Sequence, residues 1–243
     1  MLNFSVCGVP LEFDHQHIDS IFLTSSDLDY PFSLFLVDVN VLACSVYDKE
    51  YREILLNSGL NSCDGSFLAI IASFFAGKAF RAYNGPDLFR TYVANASYRQ
   101  LIVGSTSVAY QSLLQTLEIS GHSIEHLNHL RVPFLDVGEF DYLNIANSIN
   151  NLSPDIVWVS LGAPKQEVFI TKLLSCVDRG VLVASGAALD FYTQKIYHTR
   201  REIGALRLIW LSRLLSNPLK QSRRLLKFFI VLPFVLFKTA IQK

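Results

Sequence analysis

The chain has 243 residues, 51% of them hydrophobic, enough for one large domain or two small ones around a sizeable core. The formal net charge is zero, yet 10 of the 21 Lys/Arg and 20 of the 21 Asp/Glu lie at or before Gln194, which leaves 11 basic residues and the single acid Glu202 beyond it. That split excludes a chain that is basic throughout, and it predicts a tail that meets an anionic surface, either membrane or nucleic acid.

The N-terminus, MLNFSVCGVPLEF, has no positive segment and no long apolar run, so no signal peptide is expected there. LFLVDV (34–39) reads as a strand and VYDKEYREILLNSG as helix after it. LIVG (101–104) reads as a second strand, followed by the N-cap residues Ser105, Thr106 and Ser107 and a helix to about Ser120. VPFLDV (132–137) reads as a strand before a helix from about Phe140 to Asn151. DIVWVSL (155–161) precedes a helix from Pro164 to about Val177, closed by Gly180, and VLVAS (181–185) follows. Strands apolar on both faces, alternating with helices, predict an α/β fold: a mostly parallel sheet with helices on both sides. The composition changes near residue 195, so the expected parts are a core at 1–194 and a basic, helical appendage at 195–243. Within that appendage Phe228–Phe237 is a ten-residue apolar run containing Pro233. A spanning helix needs roughly 20 apolar residues, so this run is expected to lie in a membrane interface, or to pack on the core or a partner subunit. Cys7, Cys44, Cys63 and Cys176 form no CxxC pair and read as reduced thiols of a cytosolic protein.

Four places could carry chemistry. GAPKQE (162–167) follows an apolar strand, where an open parallel sheet binds its ligands. Pro164 suits a first helical turn, whose free N–H groups and dipole favour an anion such as a diphosphate. Lys165 could add charge, and Gln166 and Glu167 could bind sugar hydroxyls or a base edge; the competing reading is an ordinary strand-to-helix turn. Cys63-Asp64-Gly65 is a turn whose carboxylate, at the same sheet edge, could be a general base. Asp27-Leu28-Asp29 could hold a metal bridging a diphosphate, but it follows no clear strand and reads as a loop or helix cap. His122, His126 and His129, with Glu125, would share one face of a helix as metal ligands do, against the plainer reading of a solvated connection. No GxGxxG or GxxxxGK[ST] motif is present.

PDIVWVSLGAPKQEVFI (154–170) closely resembles the signature of the WecG/TagA/CpsF glycosyltransferases. Other pieces resemble the family in the same order: Asn40, Asp64-Gly65, Arg81, Gly85 and Asp87 in RAYNGPDL, LIVGS ending around Gly104, and Asp190 in SGAALDF. The tail adds Trp210, Arg213, Leu214 and Pro218, then Lys220, Arg223 and Arg224. The resemblance covers about residues 34–228. It implies a Rossmann-like core with a basic membrane-binding appendage, and an inverting enzyme at the inner face of the cell membrane that moves a sugar from a UDP-sugar to a polyprenyl-diphosphate-linked acceptor, without metal or other cofactor. Asp64 would be the base. Asn40, Asp38, Arg81, Asn84, Gly104, Gly162, Pro164, Lys165, Gln166, Glu167 and Asp190 would bind substrate, and Arg213, Lys220 and Arg223 would stabilise the leaving UDP.

Departures from the family pattern are Asp38 in place of a Thr, His198-Thr199-Arg200 in place of RAP, Arg207-Leu208-Ile209-Trp210 in place of GLEW, and Lys220 in place of an Arg. These bear on which sugar and acceptor are used, and Asp38 could compete with Asp64 as base. The rival readings are a hexosyltransferase of exopolysaccharide synthesis and a silent, membrane-docked nucleotide-sugar-binding module. Nucleic acid is not expected as a partner, because the end of the tail is apolar rather than polar with interleaved aromatics. A homo-oligomer is compatible with the sequence.

Overall fold

The computed structural model describes residues 2–193, 202–203, 206–207, 230 and 232–241. The first element is an antiparallel hairpin, β1 (Asn3–Val6) and β2 (Val9–Glu12), followed by α1 (His15–Leu23). Next come β3 (Pro31–Val37), α2 (Val39–Tyr47), α3 (Lys49–Leu56), β4 (Leu60–Cys63), α4 (Ser66–Ala76) and α5 (Gly85–Val93). The second half runs β5 (Gln100–Val103), α6 (Ser107–Ile119), β6 (Leu127–Leu130), α7 (Tyr142–Leu152), β7 (Ile156–Val159), α8 (Lys165–Leu173), β8 (Gly180–Ala184) and α9 (Ala188–Tyr192). A small hairpin of β9 (Glu202–Ile203) and β10 (Leu206–Arg207) touches α4, and residues 230 and 232–241 are helical.

Among the described residues, eight strands form one sheet in the order β1-β2-β4-β3-β8-β7-β5-β6. Every pairing except β1 with β2 is parallel. Alternate strand residues enter two separate cores. Phe35, Val37, Val157, Val159 and Leu182 join α2, α3, α4, α7 and α8 on one face. Leu34, Leu36, Ile156, Trp158 and Val183 join α1, α5, α6 and α9 on the other. Burial on both faces is why these strands read as unbroken apolar runs. The expected α/β sheet with helices on both sides is therefore present.

Three expectations are corrected. The strand expected at 132–137 is absent; the pairing with β5 is made by β6 instead, ending before Pro133, which has no N–H to give a ladder. As an edge strand β6 tolerates Asn128 and His129, so it did not read as apolar. The helical face of His122, His126 and His129 does not form, because His129 lies on β6. The His126 ring is buried and its Nε2 donates to the Val93 carbonyl at 2.9 Å. Gly180 opens β8 rather than closing a helix, since α8 already ends at Leu173.

The helix at 232–241 rests on the core. Val235 and Thr239 are buried, and the Cys7 N–H donates to Thr239 Oγ1 at 3.2 Å. No helix among the described residues is long and apolar enough to cross a membrane. Arg213, Lys220 and Arg223 lie outside the described residues.

Gly180 has φ +102°, and a Cβ there would sit 2.6 Å from the Pro154 carbonyl oxygen. Gly180→Ala is expected to cost about 2 kcal/mol of stability in urea unfolding. An unchanged midpoint would contradict this account of the β8 entrance.

Candidate active site

Side chains inside the central strands are sealed between two layers of helices, so groups that can meet a ligand lie where strands end. β4, β3, β8 and β7 are neighbours, and their carboxyl ends carry Asp64, Asp38, Ser185-Gly186 and Ser160–Gly162 side by side.

Asp38 caps α2. Its Oδ1 accepts from the Asn40 and Val41 N–H groups at 2.8 and 2.9 Å, and its Oδ2 accepts from Asn40 Nδ2 at 3.2 Å. Both carboxylate oxygens are thus engaged, and the Asn40 amide is oriented by them.

Asp64 follows β4 directly, and its own N–H donates to the Val37 carbonyl at 2.9 Å. Its Oδ1 accepts from the Gly85 N–H, the first of α5, at 3.1 Å. The positive end of that helix therefore faces the carboxylate. A Cβ on Gly85 would approach Leu36 Cδ1 to 2.8 Å, so glycine lets α5 start this close to the strand. Asn84, buried, stands at the α5 N-cap, and Arg81 is exposed on the segment leading into it. Beside Asp64, burial first, and then the charges of Asp64 and Asp38, push the Cys63 thiol well above its usual range.

The GAPKQE corner faces inward. Gln166 is 4% exposed. Its Oε1 accepts from the Gly162 and Gly186 N–H groups, each at 3.1 Å, and its Nε2 donates to the Ala184 carbonyl at 3.2 Å and to Glu167 Oε1 at 2.9 Å. One amide therefore ties the turn after β7 to the turn after β8. Glu167 is 0% exposed, and burial raises its carboxyl from 4.5 to about 7. Its Oε2 and the neighbouring Tyr51 hydroxyl both lack a hydrogen bond of regular geometry. Lys165 turns sideways: its Nζ donates to the Leu135 carbonyl and lies 5.2 and 5.1 Å from the Phe134 and Phe140 rings. Pro164, exposed, follows a cis peptide bond, and Gly162 has φ +77°. Gly104 packs under Leu161, and half-buried Asp190 sits in the first turn of α9.

Asp38, Asn40, Asp64, Gly162, Pro164, Gln166, Glu167 and Asp190 thus border one sheet edge, with Gly104 one strand further on and Arg81 and Asn84 arriving through α5. Sequence reasoning missed Tyr51 and Gly186. Tyr51 lies in a stretch that reads only as helix, and nothing in its spacing pointed to Glu167. Asp27 lies in a short 3-10 turn, and Asp27 and Asp29 stand apart from this edge. Among the described residues, no group of three His, Cys, Asp or Glu side chains is arranged to hold a metal ion.

Residues 6–243 match the model of the glycosyl transferase WecG/TagA/CpsF family. The chain belongs to this family. It is similar to the N-acetylglucosaminyldiphosphoundecaprenol N-acetyl-beta-D-mannosaminyltransferase of Bacillus subtilis (strain 168), with 24% identity over 78% of this chain and 73% of that protein. It is also similar to the enzyme of the same name from Bacillus spizizenii (strain ATCC 23059 / NRRL B-14472 / W23), with 23% identity over 84% of this chain and 79% of that protein. This WecG/TagA/CpsF member is accordingly a glycosyltransferase, and the residues that resembled the family pattern within the described part of the core gather at or lead into the carboxyl edge of its sheet.

Glu167 gives a test of that packing. A carboxyl that binds its proton more tightly when folded stabilises the fold below its unfolded value of 4.5, and that contribution is lost as pH rises through about 7. Wild-type protein should therefore lose on the order of 3 kcal/mol more than Glu167→Gln between about pH 4 and about pH 8 in urea unfolding. Parallel pH profiles for the two proteins would contradict a buried, proton-holding Glu167.

Proposed function

We propose that this glycosyltransferase moves an N-acetylmannosamine-type sugar from a UDP-sugar to a polyprenyl-diphosphate-linked sugar, with inversion and without a metal. The carrying observation is the Asp64 carboxylate, fixed at the sheet edge by the Gly85 N–H. The acceptor hydroxyl oxygen attacks the anomeric carbon while its proton passes to Asp64, and the bond from that carbon to the UDP oxygen breaks with its electron pair leaving on UDP. The names of the two relatives support the acceptor class and the sugar.

The donor would lie along the carboxyl ends of β3, β8, β7 and β5. Asn40, Arg81, Asn84, Gly104, Gly162, Pro164 and Asp190 offer it side chains and backbone. Gln166, Glu167 and Lys165 shape the wall from behind. Negative charge growing on UDP needs donors fixed in place. The first turn of α8 and the basic residues Arg213, Lys220 and Arg223 are the proposed source. Asp38 acts in this proposal through Asn40, whose amide it orients, and Asp64 is the base.

Residues 1–194 form the catalytic core in this proposal, and 195–243 an appendage that completes the site at the inner face of the cell membrane. The helix at 232–241 supports the second part. Its inward face holds Val235 and Thr239, while Phe234, Phe237 and Ile241 are exposed at spacings of one helical face. An apolar stripe beside a basic segment suits an interfacial helix.

Asp64→Asn should lower transfer by about 10²–10⁴-fold with UDP-sugar affinity little changed, and a chelator should leave the wild-type rate intact. A normally active Asp64→Asn enzyme would remove Asp64 as the base. Replacing Phe234 and Phe237 together by Glu should abolish sedimentation with anionic vesicles while leaving the melting temperature near wild type. Undiminished sedimentation would contradict the membrane role of the stripe.

A further inference from the structure

The segment that delivers the Gly85 N–H to Asp64 is held from outside by α1. Tyr83 lies two residues before Gly85, and its hydroxyl donates to Asp19 Oδ1 at 2.9 Å. The same oxygen accepts from the Tyr92 hydroxyl at 2.8 Å. His15, one turn earlier on α1, stacks on the Tyr83 ring with centroids 4.4 Å apart, and its Nε2 points to the Arg81 carbonyl at 3.4 Å. On the inner side the Tyr83 N–H donates to the Cys63 carbonyl at 3.0 Å, next to Asp64 itself. Segment 81–85 is therefore fastened between the end of β4 and α1. Burial, reinforced by Asp19, holds the Tyr83 hydroxyl above the ordinary phenol range, so it remains a donor.

We propose that Asp19 and Tyr83 are a positioning pair for the general base: they fix the start of α5 so that the Gly85 N–H holds the Asp64 carboxylate in line with the acceptor hydroxyl. The inference rests on Asp64 being that base. Small displacements of a reacting group cost large factors in rate, up to about 10²-fold for 1 Å. The pair acts on the chemical step and not on donor binding, because what it sets is the direction of a carboxylate that matters only when the proton moves. Tyr92 supplies the internal comparison. Its hydroxyl makes a similar bond to the same Asp19 oxygen, but from the last turn of α5, far from the Gly85 end.

The test is steady-state kinetics on the full-length protein with UDP-sugar and a lipid-diphosphate sugar acceptor, alongside thermal melting. Tyr83→Phe should lower kcat about ten-fold or more with the donor KM unchanged. Tyr92→Phe should lose a similar amount of stability yet keep kcat within about two-fold of wild type, since the loss of either hydrogen bond is of the same size. Asp19→Asn, which keeps an acceptor oxygen for both hydroxyls, should recover most of the rate that Asp19→Ala loses. A wild-type kcat in Tyr83→Phe overturns the proposal, as does a raised donor KM with kcat intact, which would assign the segment to donor binding. Equal kcat losses in Tyr83→Phe and Tyr92→Phe would also overturn it and leave a purely structural latch. Asp64→Asn, assayed in parallel, separates the two levels: if it is active, the base assignment fails; if it is inactive while Tyr83→Phe is normal, only the positioning pair fails.

Discussion

Burial of the central strands on both faces is the constraint from which the rest follows. β3, β8, β7 and β5 each send alternate residues into one of two cores, and almost nothing polar survives inside them. Chemistry is thereby confined to the turns at the strand ends. Those turns must be fixed by something other than a ladder, and here they are fixed by side chains that face inward. Gln166 bonds both Gly162 and Gly186, Asp38 holds Asn40, and the Gly85 N–H holds Asp64. The polar residues of this edge therefore divide into those that hold backbone and those that border open space, and the GAPKQE side chains belong to the first kind.

That division explains what the sequence could and could not reveal. Strands sealed on both sides are legible as apolar runs, and β3, β5, β7 and β8 fall close to where such runs stand. β4 was hidden because Asn61 and Ser62 occupy buried positions, with Asn61 Nδ2 donating to the Leu55 carbonyl at 2.7 Å. β6 was hidden because an edge strand need not be apolar, and the β1–β2 hairpin because it has only four residues a side. Asp64 was legible as a carboxylate in a turn at a strand end. The direction in which Gln166 and Lys165 point was not, because helical spacing gives a position in the first turn without saying which neighbour fills the space beside it. Nor could one segment reveal that Asp19 meets Tyr83, 64 positions away.

The electrostatics of the edge are uneven. Asp38, Asp64, Glu167 and Asp190 crowd it, Lys165 spends its charge on the Leu135 carbonyl and two rings, and Arg81 is the exposed cation on the segment leading into α5. An anionic donor would be received poorly by such a rim alone. The 11 basic residues after Gln194 answer that deficit in composition. Under the proposed function, that deficit is the physical reason for a basic appendage beside the core, where a lipid-linked acceptor would reside. Burial raises the Glu167 carboxyl to about 7, which lessens the negative charge it adds to this edge.

The most direct measurement of this account is the stereochemical outcome of transfer on membranes. Full-length protein on vesicles carrying a polyprenyl-diphosphate N-acetylglucosamine would be given a panel of α-linked UDP-sugars in the presence of a chelator. The lipid-linked product would then be identified by mass spectrometry and its new linkage by NMR. The account predicts a disaccharide on the lipid with a β linkage, formed at the same rate with and without the chelator. An α-linked product, or UDP release with no sugar on the lipid, would contradict a single displacement driven by Asp64.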